Sequence, residues 1–394
     1  MTNSPPKRRS LVFDALSILV LIFVAWSLRP TAGPNTFIDF AAYWSAGRLL
    51  LEGSNPYGYE LLLELQRALG WAIPTPVVLW NPPWVMAILA PVSLLPFALA
   101  KWCWFAASAA ALAISSAWCW RLYGGSSRCT VVSGAVPMLF FPCLLALYYG
   151  QITPFLLLAV VALLWALGAK RDLAAGFFLA LTLVKPHVTY LVWPFLFLWL
   201  LRTRRWRIVL GAGVAFAALN ITALCLRPSI YRDYTAALQS HYNPFIWKTP
   251  TLGSALGEAF AVRAQWISSL PLLGALVSIL PIWRRWGAGF CWRRHLNFIL
   301  LASVLTTVYA WSFDWVVLIP SVVEVLVWFE KEPRRNWYWV AGLAAAAIGF
   351  VLLQSSASHP VGILMLPLTI AILYTSAYAF QARREPADAQ PGSA

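Results

Sequence analysis

Four polar features interrupt an otherwise apolar chain: Asp39 in "FIDFAAYWSAGRLLLEGSNPYGYE", Gln151 in "YYGQITPF", Lys185 with His187 in "LVKPHVTY", and Asp314 in "WSFDWVVLIP". Ionisable groups at the tips of apolar runs cost roughly 2.5–3.5 kcal/mol each on insertion scales, so by default they mark a functional pathway. A carboxylate at Asp39 suits a general base, taking the proton from a hydroxyl while its oxygen attacks a carbon. The competing reading is an N-cap for a helix beginning at Phe40, although no Glu or Gln follows three residues later to complete a capping box. Lys185 and His187 suit a phosphate, because a half-buried ammonium needs an anion nearby and stabilises it as it leaves. Against this, a lysine at the end of a span can snorkel to the interface, and a lone histidine is often simply packed. Gln151 and Asp314 have the chemistry to bind sugar hydroxyls or to satisfy backbone groups at tight turns. Tyr43 and Trp44, the aromatic pair after Asp39, are further candidates for sugar or acceptor binding. Arg227 and Arg232 either guide an anionic head group or are solvated. No acidic pair has metal-site spacing, and the six cysteines show neither metal-like pairs nor a disulfide framework, so no metal and no cofactor are expected.

These residues need a scaffold, and the composition says which. Of the 394 residues, 61% are hydrophobic and 11% charged, whereas a soluble domain has about 25% charged. Apolar runs of roughly 17–25 residues recur, each long enough to cross a hydrocarbon core as a helix. The expected fold is an all-α polytopic membrane bundle. Its spans are 11–28, 97–120, 131–149, 152–169, 173–184, 188–201, 208–226, 264–282, 296–310, 315–329, 337–353 and 361–380, about twelve crossings in one domain over 11–380. Residues 1–10 form a cytoplasmic tail and 381–394 a disordered one. The net charge of +15 excludes no membrane protein and needs no nucleic acid, because the basic residues sit in short loops between runs and set orientation. Both termini then face the cytoplasm, and the polar features face the other side. Outer segments span about 29–96 and 227–263. Phe40, Tyr43, Trp44, Gly47, Leu50 and Leu51 recur at helical spacing, which predicts an amphipathic helix lying on the outer membrane surface.

Residues 173–201 test this topology. They form an almost unbroken apolar stretch with basic clusters at both ends, which fits two crossings better than one. Arms of 12 and 14 residues reach only roughly 18–21 Å at about 1.5 Å per residue, short of a ~30 Å core. The Lys185-Pro186-His187 tip should therefore lie inside a cavity.

The run "IDFAAYWSAGRLLLEGSNPY", then "NPPWVMAILAPVSLLP", "YYGQITPFLLLAVVALLWAL" and "AGFFLALTLVKPHVTYLVWPFLFLWLLRTRRWR", resembles the glycosyltransferase 87 family of bacterial membrane enzymes over residues 38–207, with "WSFDWVVLIP" similar further on. The resemblance implies a GT-C fold in the inner membrane and a polyprenyl-phosphate sugar donor, typically mannose. It also implies a lipid or glycan acceptor and an active site facing the periplasm. Asp39 matches the family's early Asp, the catalytic base, and Lys185 the Lys of its Lys-Pro tip. A transporter or flippase is the rival from another class. It commonly shows two similar halves, which this chain lacks.

Overall fold

The computed structural model describes residues 37–239, 249–260, 265–356 and 364–383, and the regular elements among them are all helical. The expected first span at 11–28, the N-terminal tail and residues 384–394 lie outside the described residues.

The chain opens with α1 (Ile38–Leu51) and α2 (Tyr59–Ala68), then α3 (Met86–Ser93) and the long α4 (Phe97–Leu122). Next come α5 (Phe141–Tyr149), α6 (Thr153–Gly168), α7 (Asp172–Leu181), α8 (Val192–Thr203) and α9 (Arg207–Leu226). Beyond them lie α10 (Ile230–Leu238), α11 (Leu252–Ala259), α12 (Gln265–Trp286), α13 (Trp292–Thr306), α14 (Ile319–Lys331), α15 (Pro333–Ser356) and α16 (Met365–Ala382). Among the described residues, five helices are long and apolar enough to cross a membrane: Phe97–Leu122, Arg207–Leu226, Trp266–Trp286, Ser312–Lys331 and Met365–Ala382. Ser312–Lys331 is largely buried within the protein, whereas the other four turn most of their apolar side chains outward, as with Leu210 and Val214 on α9 and Val277 on α12, which needs a bilayer as solvent. Inside, Tyr123, Asn297, Glu324 and Tyr374 form one hydrogen-bonded cluster tying α4, α13, α14 and α16 together.

Two elements depart from the sequence reading and one follows it. The expected span 131–149 is broken into Thr130–Ser133, a 3-10 turn at Val136–Leu139 and α5. Pro137 and Pro142 explain the breaks, since each lacks an N–H and fixes φ. The stretch 173–201 is two helices, as expected, with the irregular Lys185–Leu191 segment between 3-10 residues Thr182–Val184 and α8. Pro186 pushes the residue before it out of the helical region, and Lys185 has φ −141° and ψ 75°.

The second departure is α1, which is enclosed by protein rather than lying amphipathically on a surface. Nine of its residues are buried, including Phe40, Tyr43, Trp44, Leu49 and Leu50, and none is exposed. Gly47 permits this close approach: a Cβ there would lie 2.1 Å from Ser93 Oγ on α3.

Small residues also set the α7–α9 contact, as expected where helices approach closely in lipid. A Cβ on Gly176 would lie 2.1 Å from the Ile208 carbonyl oxygen, whereas one on Gly213 meets nothing within 4 Å. Gly176→Leu is therefore expected to destabilise the protein by about 1–3 kcal/mol through overpacking, and Gly213→Leu to leave it unchanged. Thermal unfolding in detergent checks this, and equal midpoints for the two variants would refute the close α7–α9 approach.

Candidate functional site

Each polar residue singled out above is placed by a local break in helix. Gly150 ends α5 in the left-handed region (φ 69°), which favours glycine, and α6 restarts at Thr153-Pro154, so Gln151 occupies the tip between them. A Cβ on Gly150 would come within 2.6 Å of Phe40 Cβ, so the tip lies directly against α1. Two further bonds fix that contact: Phe37 N–H donates to the Tyr148 carbonyl at 2.9 Å, and Trp104 Nε1 to the Gly150 carbonyl at 2.8 Å.

Lys185 follows the end of the α7 segment, whose last carbonyls lack helical partners. Asn81 Nδ2 donates to the Val184 carbonyl at 2.8 Å and Trp84 Nε1 to the Leu183 carbonyl at 3.0 Å. The "NPPW" segment thus holds the Lys185 tip, a role the sequence reading did not assign to Asn81 or Trp84. Asp314 lies in the 3-10 segment Ser312–Leu318, where its Oδ2 accepts from the Trp311 N–H at 2.8 Å.

Four distant segments meet here. Lys185 Nζ donates to Asp314 Oδ1 at 2.7 Å and to Gln151 Oε1 at 2.8 Å, and lies 4.8 Å from the centre of the Phe313 ring. Tyr43 O–H donates to the same Gln151 oxygen at 3.0 Å. With Oε1 occupied by two donors, the Gln151 amide nitrogen is the group left to face the Asp39 carboxyl. Burial lifts the Asp39 carboxyl to about 6; the Lys185 ammonium and the Gln151 bond pull it down, and the Asp314 charge adds a smaller upward push. A carboxyl so placed can hold or release a proton near neutral pH.

The structure decides between several of the sequence alternatives. Asp39 is not an N-cap: α1 begins at Ile38, its N-cap is Phe37, and Asp39 sits inside the first turn. Lys185 does not snorkel, being 7% exposed with its ammonium turned inward onto Asp314. Gln151 makes side-chain bonds across the site rather than closing its own turn. Asp314, fully buried, does both things considered for it locally, satisfying a turn N–H and facing the site.

His187 packs edge-on against Tyr309 with ring centres 5.4 Å apart, and its Nε2 is buried without a partner. Burial pushes its imidazole down to about 4, so it would meet a phosphate as a neutral hydrogen-bonding group. Tyr309, which accepts from Trp311 Nε1 at 2.9 Å, also faces Asp39 and Asp314 and went unnoticed in the sequence.

Two expected site residues are not brought in. Trp44 donates to the Leu95 carbonyl at 2.9 Å and packs on Phe97, filling the joint between α1 and α4. Arg227 pairs with Asp233 and donates to the Gly53 carbonyl at 2.7 Å. Gly53 lies just beyond the far end of α1, roughly 20 Å from Asp39 at about 1.5 Å per residue.

The family model described as glycosyltransferase family 87 matches residues 79–318, more than half of the chain. No curated protein and no solved structure matches it. The matched region contains Gln151, Lys185, His187 and Asp314, and it begins downstream of Asp39 and Tyr43. This multi-pass helical membrane protein belongs to glycosyltransferase family 87.

Proposed function

We propose that the chain transfers a hexose, with mannose as first choice, from a polyprenyl-phosphate donor to a lipid or glycan acceptor on the periplasmic side of the inner membrane. Asp39 is the general base. The acceptor oxygen attacks the anomeric carbon, and the bond from that carbon to the phosphate oxygen breaks. The electron pair leaves with polyprenyl phosphate, and the acceptor proton passes to Asp39. Lys185 supplies positive charge to the site, His187 a hydrogen bond for the phosphate, and Tyr43, Gln151 and Asp314 polar groups near the sugar.

The observation that carries this reading is the meeting of Asp39 with Gln151, Lys185 and Asp314 from four separate segments. Basic residues crowd the opposite ends of the apolar runs, which under the positive-inside rule supports an outer-side site. A nucleotide sugar stays in the cytoplasm, whereas a lipid-linked donor reaches that face. The test is transfer of labelled mannose in proteoliposomes, from polyprenyl-phosphate mannose or from a nucleotide sugar, to lipid and glycan acceptors. Transfer from the lipid-linked donor alone is expected. Transfer from the nucleotide sugar alone would overturn the donor assignment, and movement of intact donor across the bilayer without transfer would favour a flippase.

A further inference from the structure

The ammonium of Lys185 is more fully occupied than a phosphate-binding group needs to be. Asp314 Oδ1 and Gln151 Oε1 take it at 2.7 and 2.8 Å, and the face of Phe313 closes over it at 4.8 Å. Asp314 is itself immobile, with no exposure and its second oxygen fixed by the Trp311 N–H. Gln151 stands between this pair and Asp39. Without Asp314, the nearest anion for Lys185 would be Asp39, and a base held in a direct ion pair gives up basicity.

We propose that Asp314 and Lys185 are positioning residues: the buried pair holds a half-cancelled positive charge at fixed distance from Asp39 and keeps the base out of an ion pair. The inference rests on Asp39 acting as base. The titratable and charged groups facing Asp39 are Lys185 and Asp314 with Tyr43, Tyr149 and Tyr309, and His187 borders the pair.

The pair makes opposite demands on two variants. Asp314→Asn removes the like charge and frees Lys185 toward Asp39, so the acid limb of kcat/KM moves to lower pH by roughly one unit. Lys185→Met removes the charge that favours the carboxylate, so the limb moves upward. The Lys185→Met/Asp314→Leu double variant replaces the pair with apolar groups and also moves it upward, which keeps the test available where a single variant does not fold. Difference infrared spectra of the Asp39 carboxyl, identified by its loss in Asp39→Asn, read the same shifts without turnover. Opposite shifts of the two single variants, or the upward shift of the double, support the proposal. Folded variants with the wild-type limb and the wild-type infrared titration overturn it. Infrared shifts with an unmoved kinetic limb keep the pair's effect on Asp39 and overturn instead the reading of Asp39 as base.

Discussion

Asp39→Asn is expected to lower sugar transfer by roughly 10²–10⁴-fold, the usual contribution of a positioned general base, with donor binding and folding unchanged. The amide keeps the shape of the carboxyl. It also removes a charge that burial disfavours, and it leaves no orphaned cation, because Lys185 keeps Asp314 as its partner. The helix is untouched, since Phe37 and not Asp39 occupies the N-cap position. In the wild type the base must be deprotonated, and burial lifts its carboxyl to about 6. Transfer should therefore be full above that value and fall about tenfold per pH unit as pH drops below it. Initial rates against pH, with donor affinity measured in parallel, check both statements. A variant that transfers within about tenfold of wild type would remove Asp39 from the chemistry, because a positioned base contributes more than that.

What the sequence made legible was local. "LVKPHV" announces its own break, because the residue before a proline leaves the helical region. "YYGQITP" couples a glycine that ends one helix to a Thr-Pro that starts another, so the tip residue can be named in advance. Pro137 and Pro142 carried the same kind of signal against a span at 131–149, but hydropathy over that run outweighed them in the reading. Burial of α1 was harder to see. Its large residues suggested one apolar face, while the small Ala42 and Ala46 are buried as well, and the partner that closes on Gly47, Ser93, is remote in sequence. Long-range pairing was invisible. Lys185 and Asp314 are 129 residues apart, and nothing near either one names the other. Trp44 and Arg227 show the converse: chemically suitable types, but the side chains bond elsewhere. Residue type nominated candidates, and only packing could select among them.

Breaking the Lys185–Asp314 pair should have the largest effect on stability of any single change in the site. Both side chains are withdrawn from solvent, at 9% and 0% exposure, so neither can be rehydrated cheaply when its partner goes. Lys185→Met alone strands a buried carboxylate and is expected to cost about 3–5 kcal/mol, whereas Asp314→Leu takes away the ammonium's buried partner but leaves it Asp39 as the nearest anion, at a smaller cost. Removing both is different, because the desolvation cost of two ions disappears together with their attraction, and an apolar replacement of similar size is commonly neutral or mildly stabilising. Unfolding of the two single variants and the double in one detergent therefore forms a cycle with strong positive coupling, the double being the more stable despite carrying more substitutions. Additive losses would mean that the pair is already hydrated in the folded protein, leaving Lys185 free to meet a donor phosphate directly. Strong coupling combined with lost or pH-shifted transfer in the double would mean that this charge pair persists for the chemistry beside it, since an apolar core would have served the fold as well.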